Sequence, residues 1–241
     1  MTEALQPLDE NWSTALAIAA HPDDLEYGTA SAVARWTAQG KQVVYCLATS
    51  GEAGIDSMEP AVTGPLREAE EIAGAAVVGV DTVEFLGYPD GILEYSLALR
   101  RDIARAVRRH RPDVVVTGNY HDHWHPGHPN QADHIALGRA VLDGVRDAGN
   151  RWVFRELVDE GLEPWQVHRI VVTTSPEAGH GIDITDHLDK GIASLAAHAA
   201  YLRGLGPGAM TDPREFLEGL AREAGERLGT TFALTAEVIE L

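Results

Sequence analysis

Short apolar runs, each ending in a polar loop and each followed by a stretch with helical spacing, constrain this chain more than any other feature. The runs at residues 15–20 (ALAIAA), 43–48 (VVYCLA), 82–86 (TVEFL), 114–117 (VVVT) and 168–174 (HRIVVTT) have the length of strands rather than of buried helices. Around them the spacing predicts helices over 25–39, 66–78, 97–109, 132–146, 186–202 and 213–227, the first stopped by Gly40. Strand alternating with helix predicts an α/β fold, a mostly parallel, twisted, Rossmann-like sheet flanked by helices. In such sheets the functional groups gather in the loops at the carboxyl ends of the strands. Residues 147–167, with Trp152 and Trp165, carry no clear period. Neither a repeat nor a Pro-, Gly- or Ser-rich linker interrupts the pattern, so residues 1–241 read as one domain.

A hydrophobic share of 44% with 23% charged residues fits an ordinary globular chain. The formal charge of −18 repels phosphate backbones and anionic lipid, which argues against nucleic acid or a membrane surface as partner. The arginines at 100–111 surround Leu99, Ile103 and Val107 and read as the solvated face of a helix. No apolar run is long enough to span a bilayer, the first residues lack the pattern of a signal peptide, and the lone Cys46 sits in an apolar run as a buried, reduced thiol. The expected location is cytoplasmic, and a homo-oligomer is left open.

Chemistry concentrates in two of the polar loops. His21-Pro22-Asp23-Asp24 directly follows the first run, and imidazole and carboxylate together suit a catalytic zinc, which takes three protein ligands and keeps a position for water. The loop after the fourth run contains Asn119 to His128 and leads to Asp133-His134 at a helix start; five of the eleven histidines fall between 121 and 134. On residue types alone, that loop either binds metal or carries histidines bonded to water and helix ends.

AHPDD after an apolar strand, then REAEEIAGAAVVGV, FLGYPDG, RPDVVVT and ADHIALG, in that order, resemble the PIG-L/LmbE-like N-deacetylases over roughly residues 15–203. The resemblance implies that His21, Asp24 and His134 bind Zn2+ while Asp23 takes the proton of the activated water and returns it to the leaving amine. Three N/O ligands would also accept another divalent transition metal such as Fe2+. One departure stands out: where the family carries a histidine three residues before the last ligand, this chain has Gln131. His128 is assigned the oxyanion-assisting role, with His125 and His180 as alternatives. Arg67 and Asp90 match positions where the family places sugar-binding side chains, against readings as an i,i+4 partner of Glu71 and a turn aspartate. Asp133 reads as a support or helix cap, Trp124 as an anchor of its loop, and His198 as packing.

The expected function is zinc-dependent hydrolysis of an N-acyl, above all N-acetyl, bond in an amino-sugar-type small molecule. Two alternatives stand beside it, an amidase acting on a thiol–sugar conjugate and a non-catalytic zinc-binding module. A dinucleotide-binding protein is disfavoured, because HPDDLEYG lacks paired glycines and its aspartates would repel a pyrophosphate.

Overall fold

The computed structural model describes residues 3–206 and 208–241. Its centre is an eight-stranded sheet in the order β1 (Gln6–Pro7), β9 (His180–Asp183), β10 (Ala233–Glu240), β8 (Arg169–Thr173), β5 (Val114–Gly118), β2 (Thr14–Ala19), β3 (Gln42–Leu47), β4 (Val83–Phe85). Five of the seven neighbouring pairs are parallel; β10 runs antiparallel to both β8 and β9. Apolar runs such as β2 are continuous because both faces are covered. Ala15, Ala17 and Ala19 pack in one core with Trp36, Tyr45 and Leu195, while Leu16 and Ile18 pack in the other with Ile103, Val107 and Val141.

The first face is covered by α1 (Asp24–Gly28), α2 (Ala30–Ala38), α3 (Pro60–Val77), α7 (Leu188–Ala196) and α9 (Pro213–Leu228), the second by α4 (Leu97–His110) and α5 (Ala132–Ala148). Short helices α6 (Glu156–Asp159) and α8 (Ala199–Gly204) fill connections. Local signals explain the boundaries. The Ser96 hydroxyl accepts the Leu99 N–H at 3.1 Å to start α4, and Asp212 caps α9 ahead of Pro213.

Several boundaries differ from the sequence reading. The helix expected over 25–39 breaks at Thr29, whose φ is −143° and whose hydroxyl bonds Thr173 Oγ1 at 2.9 Å. That expected over 186–202 breaks at His198, and α3 begins at Pro60, a residue tolerated in a first turn. Strands β1 and β10 were not anticipated. The arginine stretch is not all solvated: Arg108 is 1% exposed and donates to the carbonyls of Ala148 at 3.0 Å and Asn150 at 2.8 Å, tying the end of α5 to α4.

From β2 the chain moves outward to β3 and β4, then returns to β5 on the other side of β2. The reversal opens a crevice beyond the carboxyl ends of β2 and β5, the usual ligand position in such sheets. Among the described residues no helix is long and apolar enough to cross a membrane.

Candidate metal centre and active site

Three side chains meet in that crevice. The turn after β2 delivers His21 and Asp24, and the first turn of α5, reached from β5, delivers His134. Asp24 Oδ2 accepts the N–H groups of Ala20 at 3.1 Å and His21 at 2.8 Å, which leaves Oδ1 facing His134 Nε2 at 3.1 Å. His21 Nδ1 lies 3.3 Å from Asp24 Oδ2. One donor atom from each of the three lies within 4.8 Å of the others.

The donor chemistry fits a divalent transition metal, and so do the supports behind each imidazole. Asn130 Nδ2 donates to the carbonyls of Asn119 at 2.8 Å and His121 at 3.0 Å. Carbonyls accept only, so Asn130 Oδ1 must be the atom turned to His134 Nδ1, 3.0 Å away. His134 therefore donates from Nδ1, which leaves Nε2, turned to Asp24 Oδ1, as its candidate ligand atom. His21 Nε2 meets Asp133 Oδ2 at 3.2 Å, and Asp133 also accepts the N–H groups of Gly91 at 2.8 Å and Leu93 at 3.0 Å. Carboxylate or carbonyl oxygens behind ligating imidazoles fix ring orientation and raise basicity. Burial opposes charge on His21, yet Asp24, Asp133 and Asp90 outweigh it and push its pKa up to about 12. The same field favours a bound cation.

A second grouping, His21 with Asp90 and Asp133, is equally close. Its carboxylates are already engaged: Asp133 holds two amides, and Asp90 Oδ2 accepts the Ala53 N–H at 2.8 Å. These two aspartates frame His21. Asp133 is thus the support anticipated from the sequence, and no side-chain cap bond is made at the start of α5.

Asp23, beside the trio, is 4% exposed with φ at 94°, a conformation uncommon outside glycine. Its side chain makes no cap bond to α1, so a capping role does not account for it. Burial raises its pKa to about 7 against the Arg67 guanidinium, which lies 3.0 Å from Oδ2.

Two expected substrate contacts lie in the crevice and hold partners within the chain. Arg67 is 2% exposed, donates to the Pro22 carbonyl and, at 2.9 Å, to the Gly51 carbonyl, and lies over the Tyr201 ring at 4.2 Å. It is spent on the chain itself rather than offered to a sugar hydroxyl, and it does not pair with Glu71. Asp90 is likewise committed, its Oδ1 3.1 Å from His21 Nε2 and its side chain 7% exposed.

The histidine loop forms a hairpin, β6 (His123–His125) and β7 (His128–Pro129), turning at Gly127 with φ at 85°. His128 is exposed and lies against His125, ring centroids 3.8 Å apart and planes tilted by 41°; among the described residues no hydrogen bond joins it to the trio or to Asp23. Its expected oxyanion role has no support in that position. His180 lies in β9, paired with Gln6 and Ala236. Trp124 does not anchor the loop in the core but stays 37% exposed with its ring edge-on to His134 at 5.7 Å. Sequence reasoning missed Asn130 and Glu71. Asn130 stands four residues before His134, a spacing that could have marked it.

An α/β sheet with a His-Asp-His trio and a separate buried carboxylate at its switch point has the parts that metal-assisted hydrolysis needs. The chain belongs to the PIG-L family: the family profile described as GlcNAc-PI de-N-acetylase matches residues 16–145. It is 29% identical over 189 residues to the diacetylchitobiose deacetylase of Thermococcus kodakarensis, covering 76% of this chain and 68% of that one. It is 31% identical to a 1D-myo-inositol 2-acetamido-2-deoxy-alpha-D-glucopyranoside deacetylase of Kineococcus radiotolerans, across 67% of this chain and about half (52%) of the relative. Among solved structures, N,N'-diacetylchitobiose deacetylase from Pyrococcus horikoshii superposes with a TM-score of 0.85 at 25% identity, covering 96% of this chain and 85% of that one. A 4-carboxy-2-hydroxymuconate hydratase from Pseudomonas putida shares the fold with a TM-score of 0.76 at 18% identity.

Proposed function

We propose that this protein is a metal-dependent N-deacetylase that hydrolyses the acetamide of an N-acetylated, glucosamine-type small molecule. The observation that carries the reading is the meeting of His21, Asp24 and His134 within 4.8 Å at the switch point, with the buried carboxylate of Asp23 alongside and ion-paired to Arg67. Family membership and the activities named for the relatives support the substrate class.

In this reading His21, Asp24 and His134 hold the metal, zinc or another divalent ion such as iron. When bound, the ion supplies Lewis acidity toward the amide carbonyl and lowers the pKa of a water to ~7. Asp23 takes a proton from the attacking water as the oxygen bonds to the carbonyl carbon, then delivers it to the nitrogen as the C–N bond breaks, leaving acetate and a free amine. Arg67 directs the Asp23 carboxylate, while Asp133, Asp90 and Asn130 keep the two imidazoles aimed.

The experiment is chelator-sensitive release of acetate and amine from N-acetylglucosamine, diacetylchitobiose and N-acetylglucosaminyl-inositol, with activity restored by Zn2+, Fe2+ or Co2+. Folded, metal-loaded protein that releases no acetate from any of them would overturn the reading. Cleavage of a thiol–sugar conjugate alone would favour an amidase, and metal binding without any hydrolysis a structural module. A further expectation concerns Asn130→Ala, which frees the His134 ring and should weaken metal affinity by about 10- to 100-fold. Competition against a chelator of known affinity measures it; unchanged affinity would remove Asn130 from the site.

A further inference from the structure

Behind Asp23 lies a cluster that the deacetylase reading does not use. Glu26, Glu71 and His198 are 1%, 0% and 0% exposed, and come from α1, α3 and the junction of α7 and α8. His198 Nε2 stands 3.5 Å from Glu26 Oε2 and 3.7 Å from Glu71 Oε2. Buried carboxylates are costly, so a group that keeps two of them together needs a reason. α3 also leaves space for the cluster: a Cβ on Gly74 would stand 3.1 Å from His198 Nε2.

The reason lies in one peptide unit. Glu71 Oε2 accepts the N–H of Asp23 at 3.0 Å, and Arg67, one turn earlier on α3, donates to the carbonyl of Pro22. That N–H and that carbonyl belong to the same planar peptide group. Two side chains four residues apart on one helix face therefore hold both polar ends of the Pro22–Asp23 plane. With the plane fixed, Asp23 is kept at φ 94° and ψ −24°, which a non-glycine residue adopts only when its surroundings impose it. Arg67 meets the carboxylate of the same residue at 3.0 Å.

We propose that Glu71 is a positioning residue: together with Arg67 it locks the Pro22–Asp23 peptide plane, so that the Asp23 carboxylate faces the substrate amide while its neighbour Asp24 ligates. His198 and Glu26 pack against Glu71 and keep its carboxylate turned to the Asp23 amide. This rests on the assignment of Asp23 as the base.

The test compares full-length, metal-loaded Glu71→Met, which fills the volume without an acceptor, with Glu71→Gln, whose carbonyl oxygen can still accept the Asp23 N–H. Glu71→Met should keep one metal per chain, hold KM within about threefold and lose about 10- to 100-fold in kcat, the scale of a displaced catalytic group. Glu71→Gln should recover most of that loss. A crystal structure of Glu71→Met should show Asp23 out of the positive-φ region, a readout that does not depend on activity. In an Asp23→Asn background Glu71→Met should cost less than about twofold more, because residues acting as a unit are non-additive. Unchanged kcat or an unmoved Asp23 in Glu71→Met, or an additive loss in the double variant, would overturn the proposal. So would a second metal per chain that Glu71→Met removes. If Glu71→Met does not fold, Glu71→Gln decides alone: turnover near that of the parent supports the proposal, and a loss as large as that of Asp23→Asn overturns it. Normal turnover by Asp23→Asn itself would instead overturn the base assignment, a separate failure.

Discussion

Asp23→Asn is expected to keep a full complement of metal and lose turnover by about 10²-fold or more, the scale of a missing general base. The amide retains the size of the carboxylate and can still meet Arg67 through its oxygen, so the turn after β2 should hold its shape. What it cannot do is take a proton. Its neighbour supplies the control. Asp24 points its Oδ1 at His134 Nε2, 3.1 Å away, and anchors Oδ2 on two backbone amides, so Asp24→Asn should lose metal together with activity. Metal per chain and the rate of acetate release, measured on both variants under one set of conditions, separate the roles. Normal turnover by Asp23→Asn, or loss of its metal while Asp24→Asn keeps its own, would reverse the assignment.

The largest effect is expected from His134→Ala and His21→Ala. Removing a supporting partner of a metal ligand costs 10- to 100-fold in affinity, so removing one of three ligands should cost more than about 10²-fold. Deacetylation should fall to the level of chelator-treated parent protein. Both variants should stay folded, because the two hydrophobic cores lie below the crevice and contain neither histidine. Metal analysis after dialysis against a weak chelator, together with thermal unfolding, checks both halves of the expectation. Variants that retain one metal per chain would move the centre elsewhere, and the grouping of His21 with Asp90 and Asp133 would be the first place to look.

The hydratase that shares this fold shows why the architecture does not by itself name a reaction. Release of acetate with an equivalent of free amine is therefore the measurement that matters, since hydration of a double bond would yield neither.

The parallel strands of the core were legible because burial on both faces writes them as continuous apolar runs, and the HPDD and Asp133-His134 elements stood out because histidine and carboxylate cluster there in an order that resembles a known family. The edge of the sheet was not. β1 has two residues and β10 is only partly buried along its length, so neither carries an apolar run strong enough to stand apart from loop. The breaks at Thr29 and His198 were equally silent, since both lie inside sequence of helical period and are imposed by neighbours, Thr173 in one case and two buried glutamates in the other.

By itself, then, the sequence determined the class of sheet and the end of the sheet where chemistry gathers, because these depend on local period and residue type, while its resemblance to a family pointed to His21, Asp23, Asp24 and His134. Only the tertiary structure decided what the remaining polar residues do. Arg67 and Asp90 suit a sugar hydroxyl as well as they suit a backbone carbonyl or an imidazole, and His128 suits an oxyanion as well as it suits an exposed hairpin. A side chain's hydrogen-bonding capacity is a property of its type, but its partners are set by which distant segments fold against it. Arg67 found the Pro22 carbonyl, Asp90 found His21, and Asn130 found His134 only when β2, α3 and α5 came together at the carboxyl end of the sheet.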